Sequence, residues 1–454
     1  MSGEVLLSAT GSVCPECLQK IKAVRVMLGD TVFLRKECPE HGSFQTPIWR
    51  GDPFFGFWQR PKTPSYPKSP LTTVQKGCPW DCGLCPEHRQ HTCTALMEVT
   101  QRCNLKCAYC FADAGGGGVP DPDLDTLRRW FQGIPAAEVP CNIQLSGGEP
   151  TLRDDLPEIA SLGRSLGFPF IQVNTNGVRL AADRSYVKAL KDGGVASIFL
   201  QFDGVEDATY QRLRGRALFR EKVRAVEHCV EEGLGVVLVP TLVPGVNIHE
   251  IGAIIGFAVD HMPAVRGVHF QPVSYFGRYP TAPPDEARIT LPEVIRAIEA
   301  QTEGRLKASF FQPPGCENAL CSFHGNFVLL PDGELKAWSS YDPRRCCSEP
   351  ESAEIGAEKA RRFVSRSWSQ APHPEKSPEG PSLGGWDDFL HRVQTYSLCI
   401  SAMAFQDAWN LDLERLRDCC IHVVAPEGGL IPFCAYNLTD SRGRSFYRSI
   451  CTKD

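Results

Sequence analysis

Residues 103–110 read CNLKCAYC, and the rest of the chain is best understood outward from that octet. Three cysteines at this spacing, Cys103, Cys107 and Cys110, can hold three irons of a cubane iron–sulfur cluster, whereas a cluster that only passes electrons is held by four thiolates. The fourth iron is left open to a small molecule, as a catalytic zinc keeps one vacant position. The octet follows an apolar run, ALMEVT at 95–100. That is the end of a strand, where parallel α/β sheets place their chemistry.

Five more strand-like runs follow: NIQLSG (142–147), PFIQVNT (169–175), ASIFLQF (196–202), GVVLVPTLV (235–243) and RGVHFQPV (266–273). Helical stretches lie between them, so a parallel sheet with helical crossovers is expected over 94–305. On the N-terminal side, CPEC (14–17) and CPEHG (38–42) flank a hairpin that turns at Gly29-Asp30. Two knuckles around a hairpin form a metal ribbon, with Cys14, Cys17, Cys38 and His41 as tetrahedral ligands for zinc or mononuclear iron. Residues 51–93 carry GCPWDCGLCPEHRQHTC, in which Cys78, Cys82, Cys85 and Cys93 can ligate a [4Fe–4S] cluster or a zinc ion; His88 is a substitute for Cys93. Phe54, Phe55, Phe57 and Trp58 upstream read as core packing.

Residues 306–454 lose the strand–helix alternation. They hold Cys316 and Cys321, a hairpin turning at Pro331-Asp332-Gly333, and a Ser/Pro/Glu/Gly-rich stretch at 347–385 that reads as an exposed insertion. Cys419, Cys420 and Cys434 follow. The domain reading is therefore a metal ribbon (1–50), a Cys-rich module (51–93), the α/β core (94–305) and a C-terminal domain (306–454).

CxxxCxxC with an aromatic before its last cysteine, together with GGEP at 147–150 after the second strand, resembles the radical S-adenosylmethionine (SAM) superfamily. The resemblance implies a partial (βα)6 TIM-like barrel and a [4Fe–4S] cluster that binds SAM at its open iron. An electron from the cluster then cleaves SAM to methionine and a 5'-deoxyadenosyl radical. It also implies SAM contacts from Gly147, Gly148, Glu149 and Pro150 on the amino group, from Tyr109 near adenine, and from Asn174, Asn176, Gln201 and Asp203 on the ribose and methionine side. Over nearly the whole chain the order of motifs, including FQPVSYFGR and ERLRDCCIHVVAPEGGLIPFC, resembles the group that contains archaeal tetraether lipid synthase and dihydropterin methyltransferase-like proteins. That resemblance implies two auxiliary [4Fe–4S] clusters, one on Cys78, Cys82, Cys85 and Cys93 and one on Cys316, Cys321, Cys434 and either Cys419 or Cys420. Cys141 and Cys229 read as buried thiols, and His324 and His422 as residues that orient ligands.

The chain has 454 residues, of which 42% are hydrophobic and 22% charged, and a net charge of -5. An acidic balance argues against a nucleic-acid footprint. The 21 cysteines, grouped in knuckles without a signal peptide or an apolar run of membrane-spanning length, point to metal binding in the cytoplasm. The expected function is C–C bond formation or methylation of a small-molecule, lipid or peptide substrate, with ferredoxin or flavodoxin as reductant. Peptide or small-molecule maturation is the alternative within the same chemistry, and an iron–sulfur electron carrier or zinc-ribbon binding protein the alternative outside it.

Overall fold

A computed structural model describes residues 3–116, 120–134, 141–341, 350–369, 385–426 and 428–448. The N-terminal strands β1 (Val5–Val13), β2 (Lys20–Leu28), β3 (Thr31–Cys38) and β4 (Gly42–Arg50) form an antiparallel sheet in sequence order. The β2–β3 turn falls at Gly29-Asp30, where Gly29 has φ +63°. This sheet is bound to the C-terminal part of the chain. Arg25 pairs with the buried Asp412 carboxylate, Thr10 Oγ1 donates to Asp412 Oδ1 (2.7 Å), and Lys36 Nζ donates to the Ala408 carbonyl (2.6 Å).

The core is a second sheet. Its strands are β5 (Thr94–Thr100), β6 (Asn142–Gly147), β7 (Ile171–Thr175), β8 (Ser197–Gln201), β9 (Gly235–Val239), β10 (Val265–Pro272), β11 (Ser322–Leu329), β12 (Leu335–Ala337), β13 (Ser397–Met403), β14 (Ile421–Val424) and β15 (Leu430–Pro432). They lie in the order β12-β11-β13-β10-β9-β8-β7-β6-β5-β14-β15. All six strands expected from sequence are present and pair in parallel. Strands β13 and β14 extend the parallel run at its two ends, beside β10 and β5 respectively. Both come from the segment read as a separate C-terminal domain, which therefore completes the core sheet instead of forming a sheet of its own.

The helices bury apolar stripes against this sheet. The helix Leu124–Gly133 begins where Asp123 accepts from Thr126 N–H (2.8 Å), and buries Leu127 and Phe131 one turn apart. On the strands, alternation separates core from lumen. Ile143, Leu145, Ile198, Leu200, Val268, Phe270 and Ile400 belong to the main hydrophobic core, whereas Gln144, Ser146, Phe199, Gln201, His269, Gln271, Cys399 and Ser401 face an internal cavity.

Residues 353–367 depart from the sequence reading. They form a helix, capped by the Ser352 side chain on Ile355 N–H, whose Gly356, Ala360, Phe363 and Val364 line the same cavity. The polar composition of 347–385 concealed a short amphipathic stretch, AEKARRFV. Within that span 347–349 and 370–384 lie outside the described residues, as do Cys346, Cys347 and Cys451.

Candidate active site

Cys103, Cys107 and Cys110 are half-buried on the loop after β5 and line one wall of a cavity of about 510 Å3. Burial pushes the Cys103 thiol up to about 11, and the nearby Glu149 carboxylate adds to the rise. The loop is braced from three directions. Gly148 N–H donates to the Thr100 carbonyl and Glu149 N–H to the Arg102 carbonyl, each at 2.8 Å. Arg278, the last residue of FQPVSYFGR, exchanges backbone hydrogen bonds with Cys110 and donates from Nε to the Cys107 carbonyl (3.1 Å). Asn176 Nδ2 donates to Asn104 Oδ1 (2.7 Å).

These contacts give the two glycines of GGEP, which also line the cavity, a packing role beside the one the resemblance implies. A Cβ on Gly147 would lie 2.2 Å from the Thr100 carbonyl oxygen, and one on Gly148 would lie 2.2 Å from that of Arg102. The glycines let the loop press against the backbone that carries the cysteines. Glu149 is 1% exposed and is a hub. Its Oε1 accepts from Thr151 N–H, Thr151 Oγ1 and Thr175 Oγ1, and its Oε2 from Asn176 N–H (2.7 Å). Oε2 keeps acceptor capacity, and Glu149 lines the cavity. Pro150 is buried at the start of the turn Pro150–Leu152 and is not among the cavity residues.

Tyr109, Asn174, Asn176 and Gln201 line the cavity, and Asn174 Oδ1 is buried without a partner. Asp203 does not line it. Its carboxylate, 0% exposed, is held by Arg214 through two contacts of 2.7 Å and accepts from Thr241 N–H. Asp203, expected on the ribose and methionine side, stands behind the cavity wall, and Arg214 lines the wall itself with its guanidinium in contact with both Asp203 and the Cys107 thiol. Arg214 was missed because a single arginine in LRGR carries no spacing signal. Lys222, also buried, donates to the Asn176 carbonyl (2.5 Å), and its pKa is pushed down to about 8 by burial.

The other thiols fall into groups that differ from the sequence sets. Cys14, Cys17, Cys38 and His41 come together as expected, with ligand atoms within 4.8 Å of one another and His41 Nδ1 facing Cys14 (3.7 Å) and Cys38 (3.5 Å). The Cys78 thiol contacts Cys82 and Cys85. Cys93 is not joined to that trio by any described contact. Its thiol contacts Cys316 and Cys420, and its N–H donates to the Cys420 carbonyl (2.7 Å). The Glu317 carboxylate lies 3.7 Å from Cys420 Sγ, and Cys93, Cys316, Glu317 and Cys420 all line the cavity of the three-cysteine loop. Cys321 and Cys434, expected beside Cys316, line a small cavity of about 30 Å3 together with Cys419, and Cys420 and Glu317 border this cavity as well as the larger one. There Arg415 Nε donates to Cys321 Sγ (3.4 Å). Cys93 immediately precedes β5 and Cys420 immediately precedes β14, so the pairing of those two strands carries Cys93 away from its sequence neighbours.

His88 Nε2 contacts the Cys419 carbonyl (2.8 Å), and its ring meets that of His422 at 5.1 Å. His324 pairs with Gln312 (3.1 Å). Cys141 and Cys229 are buried. Trp58 is buried in the core as expected, whereas Phe54 and Phe57 are exposed.

Barrel, three-cysteine loop and ribbon together define a SAM-dependent radical enzyme. Residues 97–258 match the family described as the Radical SAM superfamily, and residues 6–50 match the HMPTM N-terminal zinc ribbon domain. The chain is 34% identical to 7,8-dihydro-6-hydroxymethylpterin dimethyltransferase of Methanocaldococcus jannaschii, over 94% of this chain and 93% of that protein. It is also 31% identical to a probable GTP 3',8-cyclase of Methanothermobacter thermautotrophicus, over 36% of this chain and 53% of that one. A solved structure of SuiB from Streptococcus suis overlays 47% of this chain and 46% of its own, with a TM-score of 0.40 and 16% identity. The chain belongs to the radical SAM superfamily, and within it to the family of the Methanocaldococcus dimethyltransferase. No helix among the described residues is long and apolar enough to cross a membrane.

Proposed function

We propose that this radical SAM enzyme methylates a carbon of a small reduced heterocycle, a dihydropterin by analogy with its full-length relative, the radical from one SAM taking that carbon's hydrogen atom, a second SAM giving its methyl group and leaving as S-adenosylhomocysteine, and the reductant supplying two electrons. One observation carries the reading. A single cavity joins the three cysteines of the SAM loop to a lumen lined by amides and aromatic rings, the surroundings a flat polar ring needs. A [4Fe–4S] cluster on Cys103, Cys107 and Cys110, with SAM at its open iron, supplies the 5'-deoxyadenosyl radical.

The chain's own residues do the rest. Glu149 Oε2 and the Gly147–Gly148 backbone receive the SAM ammonium, Tyr109 borders the adenine, and Asn174, Asn176 and Gln201 face the ribose and methionine side. Arg214 sets a positive charge against Cys107 and turns toward Gln201, with Asp203 holding it in place. The ribbon ligands Cys14, Cys17, Cys38 and His41 hold zinc or iron. Two auxiliary [4Fe–4S] clusters complete the set, one with Cys78, Cys82 and Cys85 among its ligands and one with Cys93, Cys316 and Cys420 and the neighbouring Glu317 carboxylate, the latter in the wall of the reaction cavity. Reductant is ferredoxin or flavodoxin, and the setting is the cytoplasm.

The test is anaerobic reconstitution with reductant, SAM and 6-hydroxymethyl-7,8-dihydropterin. A pterin heavier by one or two methylene units, absent when Cys103, Cys107 and Cys110 are all alanine, is the expected product. Formation of 5'-deoxyadenosine with the pterin unchanged rejects the substrate and keeps the radical chemistry. Iron counting on Cys93→Ala and Cys78→Ala tests the cluster sets, each variant being expected to lose about four irons.

A further inference from the structure

The lumens of closed eight-stranded βα barrels are ordinarily filled by bulky branched aliphatic side chains. Below the SAM loop this one is not. Phe199 on β8, His269 on β10 and Trp368, at the end of the helix Ala353–Ser367, form one wall of three rings in mutual contact. Their centroids lie 5.7 Å apart for Phe199–Trp368, 5.5 Å for Phe199–His269 and 6.0 Å for His269–Trp368. Gln144 on β6 and Ser401 on β13 border the same cavity.

We propose that a planar, uncharged nitrogen heterocycle binds in this lumen, its face against Phe199 and Trp368 and its polar edge toward Gln144, His269 and Ser401. The proposal deepens the reading of a small-heterocycle substrate and rests on it.

Each polar group has capacity left for a ligand. Gln144 Nε2 donates to Gln172 Oε1 (2.8 Å) and Gln172 Nε2 donates to Ser197 Oγ (3.2 Å), so the chain of amides fixes the Gln144 side chain and leaves its carbonyl oxygen for a ring N–H. His269 contacts Ser401 Oγ through Nδ1 (2.9 Å), which leaves Nε2 for a second partner. Burial pushes the His269 pKa down to about 4, so the imidazole is neutral and can donate or accept. None of these side chains carries a charge, which selects against a phosphate or carboxylate in this part of the cavity. A flat ring exchanges solvent for two aromatic faces here, and amide and imidazole at its rim satisfy the polar atoms it would otherwise bury. Gly267 on β10 borders the indole: a Cβ there would be in ordinary contact with Trp368 Nε1 (3.6 Å), whereas its 2.8 Å approach to the Cys399 carbonyl oxygen shows that the glycine serves the β10–β13 backbone pairing.

The test is anaerobic equilibrium dialysis of SAM-loaded, reconstituted protein against three probes: 6-hydroxymethyl-7,8-dihydropterin, lumazine and guanine. At least one is expected to bind. Phe199→Ala and Trp368→Ala should each weaken that binding roughly ten- to a hundredfold, and Trp368→Phe should restore most of it. Iron content and circular dichroism identify a variant that has not folded; Phe199→Leu, which keeps bulk and removes the π face, then takes the place of Phe199→Ala. The proposal is overturned if no probe binds, or if binding is the same in the wild type and both alanine variants. If lumazine or guanine binds in a Phe199- and Trp368-dependent way while the dihydropterin does not, the slot stands and the pterin reading falls. If the dihydropterin binds regardless of both rings, the pterin reading stands and the slot falls.

Discussion

Alanine at Gly148 tests whether the GGEP loop is a backbone brace for the three cysteines. The added Cβ would lie 2.2 Å from the Arg102 carbonyl oxygen, 2.8 Å from its carbon and 3.0 Å from the Gln101 oxygen. All three are backbone atoms, so no side chain can swing aside, and the loop at 147–149 must retreat from the strand end by the better part of an ångström. That retreat breaks the hydrogen bonds from Gly148 N–H to Thr100 and from Glu149 N–H to Arg102, both 2.8 Å and each with one end on a buried residue, Thr100 and Glu149. Leaving buried groups unpaired costs roughly 1–3 kcal/mol apiece, so the destabilisation is about 2–6 kcal/mol. Because residue 103 follows Arg102 directly, the shift also moves the first cluster cysteine. A displacement of about 1 Å near reacting groups commonly costs on the order of a hundredfold in rate. The assay is 5'-deoxyadenosine formation per assembled cluster, with iron content and urea midpoint on the same protein. Gly256→Ala is the control. It sits in the helix Ile251–Asp260 with nothing within 4 Å of the added Cβ, and should be neutral or up to about 1 kcal/mol stabilising. A Gly148→Ala protein with the wild-type midpoint, iron content and rate would refute the reasoning.

Three further outcomes follow from other parts of the molecule. Asp203→Ala leaves the 5%-exposed Arg214 charge unpaired and should cost about 3–5 kcal/mol; adding Arg214→Ala should recover part of that loss, and strictly additive midpoints would show that the pair is not coupled. Cys38→Ser with His41→Ala should remove one metal ion per chain while the cluster iron is retained, as counted by metal analysis; an unchanged metal content would reject the ribbon site. His269 has its folded pKa pushed down to about 4, so between pH 6.5 and 4 the unfolded chain binds more protons and stability rises with pH. Taking wild type and His269→Asn from pH 7 to pH 5, the wild type should lose roughly 2 kcal/mol more than the variant; equal losses in urea midpoint would place the titration elsewhere.

What could be read from the chain and what could not divide along one physical line. The three-cysteine loop, the ribbon ligands and the six parallel strands are each specified within a few residues of themselves, by spacing or by an apolar run of strand length. Features set by pairing across the sheet left no such trace. Strand β13 lies beside β10 through Gly267–Cys399 and Phe270–Ala402, a contact across more than a hundred residues with no local signature. The same holds for Cys93. In sequence it closes the GCPWDCGLC loop; in space β5 runs beside β14, with Ile421 opposite Thr94, and the register carries Cys93 to Cys420. Sequence proximity is a sound guide to ligands on one loop, as Cys103, Cys107 and Cys110 share, and a poor one when a candidate ligand stands at the entry to a strand. A residue there takes its neighbours from the entry to the partner strand. In a parallel sheet those neighbours come from distant parts of the chain. That rule also explains why a cavity wall holding Cys93, Cys316 and Cys420 stands within reach of the SAM loop: β5 begins just after Cys93 and ends three residues before Cys103, so one strand ties both groups of thiols to the same cavity.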